Sequence, residues 1–280
     1  MTRCGLIAVV LLGYGCLEGS PKQVFSERKV DAATGAASTE DSGTEVDASV
    51  DSAVRSNASD SASFVPDDLV VMALPGGNGV FEISAVTLRD AEQGLELYAA
   101  VKNSGDVFAC SAALSVELYD QDGQSIAAGI NGLLSQHFYQ LTDGSGSIAA
   151  CISPGETAMT AIADFPAGIR VEDIAAIVYR CPYFALDVTP IDGLTVRQLA
   201  EVPSSEGTAY TGTLINDFEL AVDNPSVTLF SVNEMGRPLD MVIATSTVQI
   251  PAGGSWMFQT DPFATLGVDV VAYPAGARAQ

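Results

Sequence analysis

The stretch Leu114–Gly129, LSVELYDQDGQSIAAG, decides the fold. Leu114, Val116 and Leu118 alternate with Ser115, Glu117 and Tyr119, the period of two that gathers apolar side chains on one face of a half-buried antiparallel strand. Asp122-Gly123 follows at once. That pair favours the positive backbone angles of a tight hairpin, so the chain is expected to turn back through Ser125–Ala128. Strands of this size, bounded by turn residues and with almost no helical periodicity around them, predict an all-β protein of the sandwich type.

Working outward, one order of landmarks occurs twice. The first copy runs LELYAAVKNSG (Leu95–Gly105), then the hairpin above, then ISPGETAMTAIADF (Ile152–Phe165), then VEDIAAIVYR (Val171–Arg180). The second runs AYTGTLINDFELA (Ala209–Ala221), SVTLFSVNEMGRPL (Ser226–Leu239), IPAGGSWMFQTDPF (Ile250–Phe263) and LGVDVVAYP (Leu266–Pro274). Each has a strand ending in Asn (Asn103, Asn216), a strand ending near an aromatic (Tyr119, Phe230), a Pro/Gly turn into a strand with a Met (Met159, Met257), and a strand ending in Tyr (Tyr179, Tyr273). Such an internal repeat predicts two tandem immunoglobulin-like β-sandwich modules, 69–190 and 191–280, with separate cores. Pro182 and Pro190 bound a short connection that should be stiff, not a free hinge.

The segment VKNSGDVFACSAALSVELYDQDGQ, with the later ISPGETA, resembles the FxLYD-type family of immunoglobulin-like domains. Leu118, Tyr119 and Asp120 match the motif, whereas Val116 stands at the aromatic place. The corresponding strand of the second copy is more degenerate, with Val227, Leu229, Phe230 and Ser231. The resemblance implies a small extracytoplasmic module, often carried by bacterial surface or membrane-anchored proteins, with no catalytic residues and no defined ligand.

The N-terminus fits that setting. Gly5–Leu12 is apolar but far shorter than the roughly 20 residues a membrane span needs. With Arg3 before it and Gly13 and Gly15 after it, residues 1–15 read as a secretory signal. Cys16 directly behind resembles a bacterial lipobox, which implies an acylated N-terminal cysteine and a membrane anchor; an ordinary secretory leader is the alternative. Leu17 follows Cys16 in place of aspartate, and by the same resemblance implies the outer membrane as destination, with a secreted or periplasmic soluble form as the alternative. Residues 16–68 are rich in Ser, Ala, Asp, Thr and Gly and are expected to be a disordered stalk, because they cannot bury enough surface to offset ordering entropy.

Charge and inventory then exclude several functions. The chain has 35 acidic and 12 basic residues, a formal charge of −23. Nucleic-acid binding is not expected, since it needs clustered Lys and Arg. His137 is the only histidine, so multi-histidine zinc sites are excluded. It lies with Phe138 and Tyr139 in a long connection, Asn131–Cys151, that the second copy lacks. These aromatics form either a recognition surface or a lid buried on the end of the sandwich. Ser135, two residues from His137, would share its face in a strand, which makes a hydrolase or metal-dependent enzyme using this loop the alternative to a non-enzymatic scaffold or interaction protein. Asp120, Asp122 and Asp143 have the chemistry for calcium but not the spacing of an EF-hand, and read as turn formers. No cofactor is expected, and the partners are the membrane, through Cys16, and an unidentified protein or other envelope component. Cys4 leaves with the signal, so Cys110, Cys151 and Cys181 remain in the first copy as disulfide candidates. Any pair can form at one end of the sandwich; Cys110–Cys151 would staple the long loop.

Overall fold

Alternation of buried and partly exposed residues is regular at Ala113–Tyr119 and along most of Gly207–Asn216, whereas Phe81–Ala91, Gly94–Asn103, Thr157–Ile162 and Val222–Val232 carry continuous buried runs. The computed structural model describes residues 69–74, 80–92, 94–145 and 147–278. The expected signal at 1–15, the expected acylation site Cys16 and the expected stalk at 16–68 lie outside the described residues. The first half holds β1 (Val70–Ala73), β2 (Phe81–Ala91), β3 (Gly94–Asn103), β4 (Ala109–Cys110), β5 (Ala113–Tyr119), β6 (Ser125–Gly132), β7 (Phe138–Leu141), β8 (Ile148–Ile152), β9 (Thr157–Ile162) and β10 (Ala176–Arg180). β11 (Phe184–Ala185) and β12 (Val188–Ile191) form the connection. The second half holds β13 (Leu194–Ser204), β14 (Gly207–Asn216), β15 (Val222–Val232), β16 (Pro238–Thr245), β17 (Ser255–Gln259) and β18 (Asp269–Arg278). Among the described residues the protein is all-β, apart from one turn of 3-10 helix at Val171–Asp173.

The sheets pair in the same order in each half. β2-β3-β9 matches β13-β14-β17, and β10-β5-β6 matches β18-β15-β16; β1 extends the first of these latter sheets by parallel pairing with β10. Inward residues of the first half make one core, including Leu88, Leu97, Leu114, Leu118 and Ile177. Those of the second make another, including Leu214, Val227, Leu229 and Phe258. A third apolar layer joins the halves. On β3, Leu95, Leu97, Ala99 and Val101 point into the first core, while Tyr98 and Ala100 point the other way. On β15, Val227 and Leu229 point into the second core, while Phe230 and Val232 meet Tyr98 and Ala100. Each strand thus feeds two layers, as a period of two allows. The four sheets stack as β1-β10-β5-β6, β2-β3-β9, β16-β15-β18 and β13-β14-β17, and both halves belong to one compact unit.

The repeated asparagines have one job. Asn103 is fully buried; its side-chain amide donates to the carbonyls of Val107 and Ile152 at 2.9 and 3.0 Å, and its backbone carbonyl accepts from Gly155 N–H at 2.8 Å. Asn216 is equally buried; its side-chain amide donates to Leu220, Ile250 and Pro251, and its backbone carbonyl accepts from Gly253 N–H at 2.9 Å. In each half the side chain satisfies loop carbonyls that would otherwise be buried without a donor, which fixes the end of the strand to the Pro/Gly turn.

Three expectations need correction. The hairpin after Tyr119 is longer than a two-residue turn: Asp120 Oδ1 accepts from Asp122 and Gln124 N–H, only Gly123 has positive φ (73°), and the register slips at Leu118/Tyr119, as in a turn closed by a glycine bulge. Asn233 closes β15–β16 with the same pattern. Tyr179 and Tyr273 are not counterparts. Val116 and Val227 both point inward, but Tyr179 stands opposite Val116, whereas Pro274 stands opposite Val227 and Tyr273 opposite Thr228. A one-residue offset changes the face: Tyr179 lies in the first core and Tyr273 in the joining layer, edge-on to Phe230 at 5.7 Å. Finally, the long connection is not a bare loop, since it contains the end of β6, all of β7 and most of β8.

Candidate functional site

The site is built where the insertion of the first half meets the connection to the second. Cys110 and Cys151 face each other in the β4–β8 pairing and are disulfide-bonded, which ties the insertion to the first core. Closing a loop of this sequence separation, 41 residues, removes about 4 kcal/mol of unfolded-chain entropy on the loop-entropy account. β4, β8 and β7 continue into β11 on one side and β12 on the other, so both strands of the connection are pinned in one five-stranded sheet. Cys181 lies outside the disulfide and is buried, and desolvation pushes its thiol up to about 12. A thiol so placed is inert at neutral pH.

His137, Phe138 and Tyr139 do three different things. Tyr139 is buried against the disulfide and Phe108, with its hydroxyl donating to Ser153 Oγ at 3.2 Å, and its pKa is raised by burial. Phe138 is half-buried and packs edge-on to Phe218 of the second half at 5.1 Å. Gly193 lets this happen: a Cβ there would lie 2.5 Å from Phe138 and 2.9 Å from Phe218. His137 is exposed. The aromatics are therefore a packing element joining insertion and second core, while the histidine faces solvent.

Ser135 and His137 do not share a face. Residues 134–137 are not a strand: Ser135 is buried and His137 is not. The Ser135 hydroxyl donates to Cys151 O at 2.8 Å and accepts the His137 N–H at 3.1 Å, with Glu156 Oε1 at 3.3 Å. Glu156 in turn accepts from the N–H and hydroxyl of Ser153 at 2.8 and 2.6 Å. These groups hold the turn before β9 against the insertion; the hydroxyl's partners are backbone carbonyls, the His137 N–H and a carboxylate, not the imidazole.

Beside them lies a groove of about 310 Å³, lined among others by His137, Phe138, Ser153, Asp192, Leu194 and Thr195. Polar surface predominates in its lining, with Phe138, Ile191 and Leu194 among the apolar members. Thr195 donates to Asp217 at 3.2 Å. Among the described residues no group of three or more metal-ligating side chains comes together. Asp143 accepts from Ser145 N–H at 2.9 Å, as Asp120 does within its own turn, so both aspartates act as turn formers.

One cluster carries no mark in the periodicity. Arg89 on β2 and Glu96 on β3 are opposite each other on the outer face of their sheet, and Arg89 also meets Asp240 of the second half. Arg89 Nε donates to Glu96 at 2.8 Å, and Nη2 lies 2.9 Å from Asp240 Oδ1. Nη2 also donates to Tyr98 Oη at 2.6 Å, and the guanidinium sits 5.1 Å from the Tyr98 ring centre. Asp240 Oδ2 accepts from Ala264 and Thr265 N–H at 2.7 and 2.9 Å. Burial works against the Arg89 charge, but the bond to Asp240 and the surrounding negative groups outweigh it and raise its pKa; burial raises that of Tyr98. The cross-strand charge pair Arg89/Glu96 was the available sequence signal.

No family model matches the chain, and no curated protein matches it.

Proposed function

We propose that this chain is a membrane-anchored, non-enzymatic surface lipoprotein. In this reading residues 1–15 are its signal, Cys16 its acylated anchor and 16–68 its stalk, and two FxLYD-like immunoglobulin-type modules, 69–190 and 191–280, present an interaction surface to an envelope partner. The observation that carries the reading is the junction groove. An insertion stapled by a disulfide, a connection pinned on both sides and the start of the second core converge on it. The equivalent turn of the second half has no such insertion. Rigid scaffolds that place an extra segment beside a pocket are a common way to carry binding function. The use of Ser135 and Glu156 as structural hydrogen-bonding groups supports a binding rather than a hydrolytic role.

Two measurements test it. Intact-mass analysis of the membrane-fraction protein should find acyl chains on a terminus at Cys16, and Cys16→Ala should lose them; an unmodified Cys16 sinks the anchor. A photocrosslinking residue at His137 of the anchored protein should trap a defined envelope component, whereas one at exposed Glu172 should not. Turnover of ester or peptide substrates abolished by His137→Ala would replace the scaffold reading with the enzymatic one.

A further inference from the structure

The two halves differ at one strand edge, and the difference points to a second binding place, independent of the groove. β9 and β17 are counterparts, each the outer strand of its three-stranded sheet. Asn103 N–H bonds Glu156 O in the first sheet, so in β9 the N–H and C=O groups of Thr157, Met159 and Ala161 point away from β3. That edge is covered by the chain's own insertion. Leu134 N–H donates to Met159 O at 2.9 Å, the Asn131 amide donates to Ala161 O at 2.6 Å, and Thr160 donates to Gly132 O at 2.8 Å.

In the second sheet Asn216 N–H bonds Gly254 O, and Thr260 N–H bonds Tyr210 O. This alternation turns the N–H and C=O groups of Ser255, Met257 and Gln259 outward, in the places of Thr157, Met159 and Ala161. No backbone bond among the described residues covers them. Met257 is 81% exposed, against 5% for Met159. Edge strands are normally blunted by charge, proline or a bulge; SWMFQ has no charged residue and no proline, and its pairing with β14 is regular.

The geometry points to the β17 edge as a docking site for an extended strand of a partner protein, added antiparallel as Leu134 is added to Met159. The first half shows the chemistry such an occupant needs: a short uncharged segment, here GINGLLSQ at Gly129–Gln136, with a backbone donor for the Met159 carbonyl and a side-chain amide for the next outward carbonyl, that of Ala161. A second copy of this chain is disfavoured as occupant, because two bodies of charge −23 repel.

The test uses the full chain and a synthetic GINGLLSQ peptide as probe. Trp256, the only tryptophan, lies within β17 with its ring tilted against Phe258 at 5.8 Å, so its emission reports directly on this strand. Peptide addition should shift that emission saturably. Met257→Lys puts a charge on the exposed edge, and Met257→Pro removes an outward N–H that no sheet bond uses; proline is tolerated at such places. Both variants should stay folded and weaken the peptide at least about tenfold. An unchanged Trp256 signal up to millimolar peptide, or equal binding by Met257→Pro, overturns the proposal. So does a dimer in sedimentation that Met257→Pro dissolves, since the edge would then belong to a second copy. None of these outcomes depends on what the junction groove binds.

Discussion

Met159 and Met257 occupy the same place in two copies of one architecture, opposite Ala100 and Thr213 of the neighbouring strand. One is 5% exposed and the other 81%. The difference comes from what surrounds them. Around Met159 the outer face reads Tyr98, Ala100 and Ala161, and the second half packs onto it with Phe230, Val232 and Tyr273. Around Met257 the same positions hold Thr211, Thr213 and Gln259, and the face stays open. Two sheets of one topology thus became an internal layer and an outer wall through a few outward-facing positions.

Breaking the charged cluster should have the largest effect. Asp240→Ala leaves Arg89 buried against Glu96 alone and two backbone N–H groups at Ala264 and Thr265 without an acceptor; about 3–5 kcal/mol should be lost in denaturant unfolding. A loss below about 1 kcal/mol would mean that the joining layer holds without it.

The staple separates the halves next. Replacing Cys110 and Cys151 by Ser should cost roughly 2–5 kcal/mol. Hydrogen exchange should show the loss spreading through β4, β7 and β8, with β14 and β17 little changed. Equal loss in both halves would show that the insertion supports the second core as much as the first.

The methionine pair sharpens the comparison directly. Met159→Ala should cost about 2–5 kcal/mol, toward the lower end because methionine fills space adaptably. Met257→Ala should stay within about 0.5 kcal/mol of the parent. Similar values at the two sites would contradict the difference in burial.

The asparagines test the likeness of the halves. Asn103→Ala and Asn216→Ala each strip loop carbonyls of a donor, at about 1–3 kcal/mol apiece, and unfolding measurements should give similar losses at the two sites, because each amide brings two N–H donors to its corner.

The smallest effect is a pH dependence. Burial raises the folded pKa of the Cys181 thiol to about 12 from an ordinary value of 9.0. A thiol raised in this way is neutral in both states below about pH 9, so its contribution is complete there. Above that the unfolded chain loses the proton first, and stability falls as pH rises toward 12. Cys181→Ala should flatten that part of the curve in unfolding midpoints measured at pH 8 and pH 10.5; an unchanged slope would assign the fall to tyrosines such as Tyr210, raised to about 12 chiefly by burial.

Local pattern made the strands legible, because the cost of a wrong face is paid at every second residue. Leu114, Val116 and Leu118 announced β5, and Asn103 and Asn216 announced matching corners. The site was legible only in its parts. His137, Phe138, Tyr139 and the cysteines stood out by type, yet the sequence could not say that Tyr139 packs on the disulfide, that Phe138 reaches Phe218, or that Ser135 turns away from His137. The Arg89/Glu96 pair was open to reading, but its link to Asp240 was not, because Asp240 lies 151 residues further on in the numbering than Arg89.

What the sequence determined by itself is the all-β class, the repeat and the turn positions, since these rest on spacing between neighbours along the chain. Only the tertiary structure decided which outward faces became interior. A strand shows two faces to its surroundings, and periodicity separates them without naming what each will meet. That depends on the other half of the chain, where Phe230, Tyr273 and Asp240 cover one wall and leave Met257 uncovered on the other.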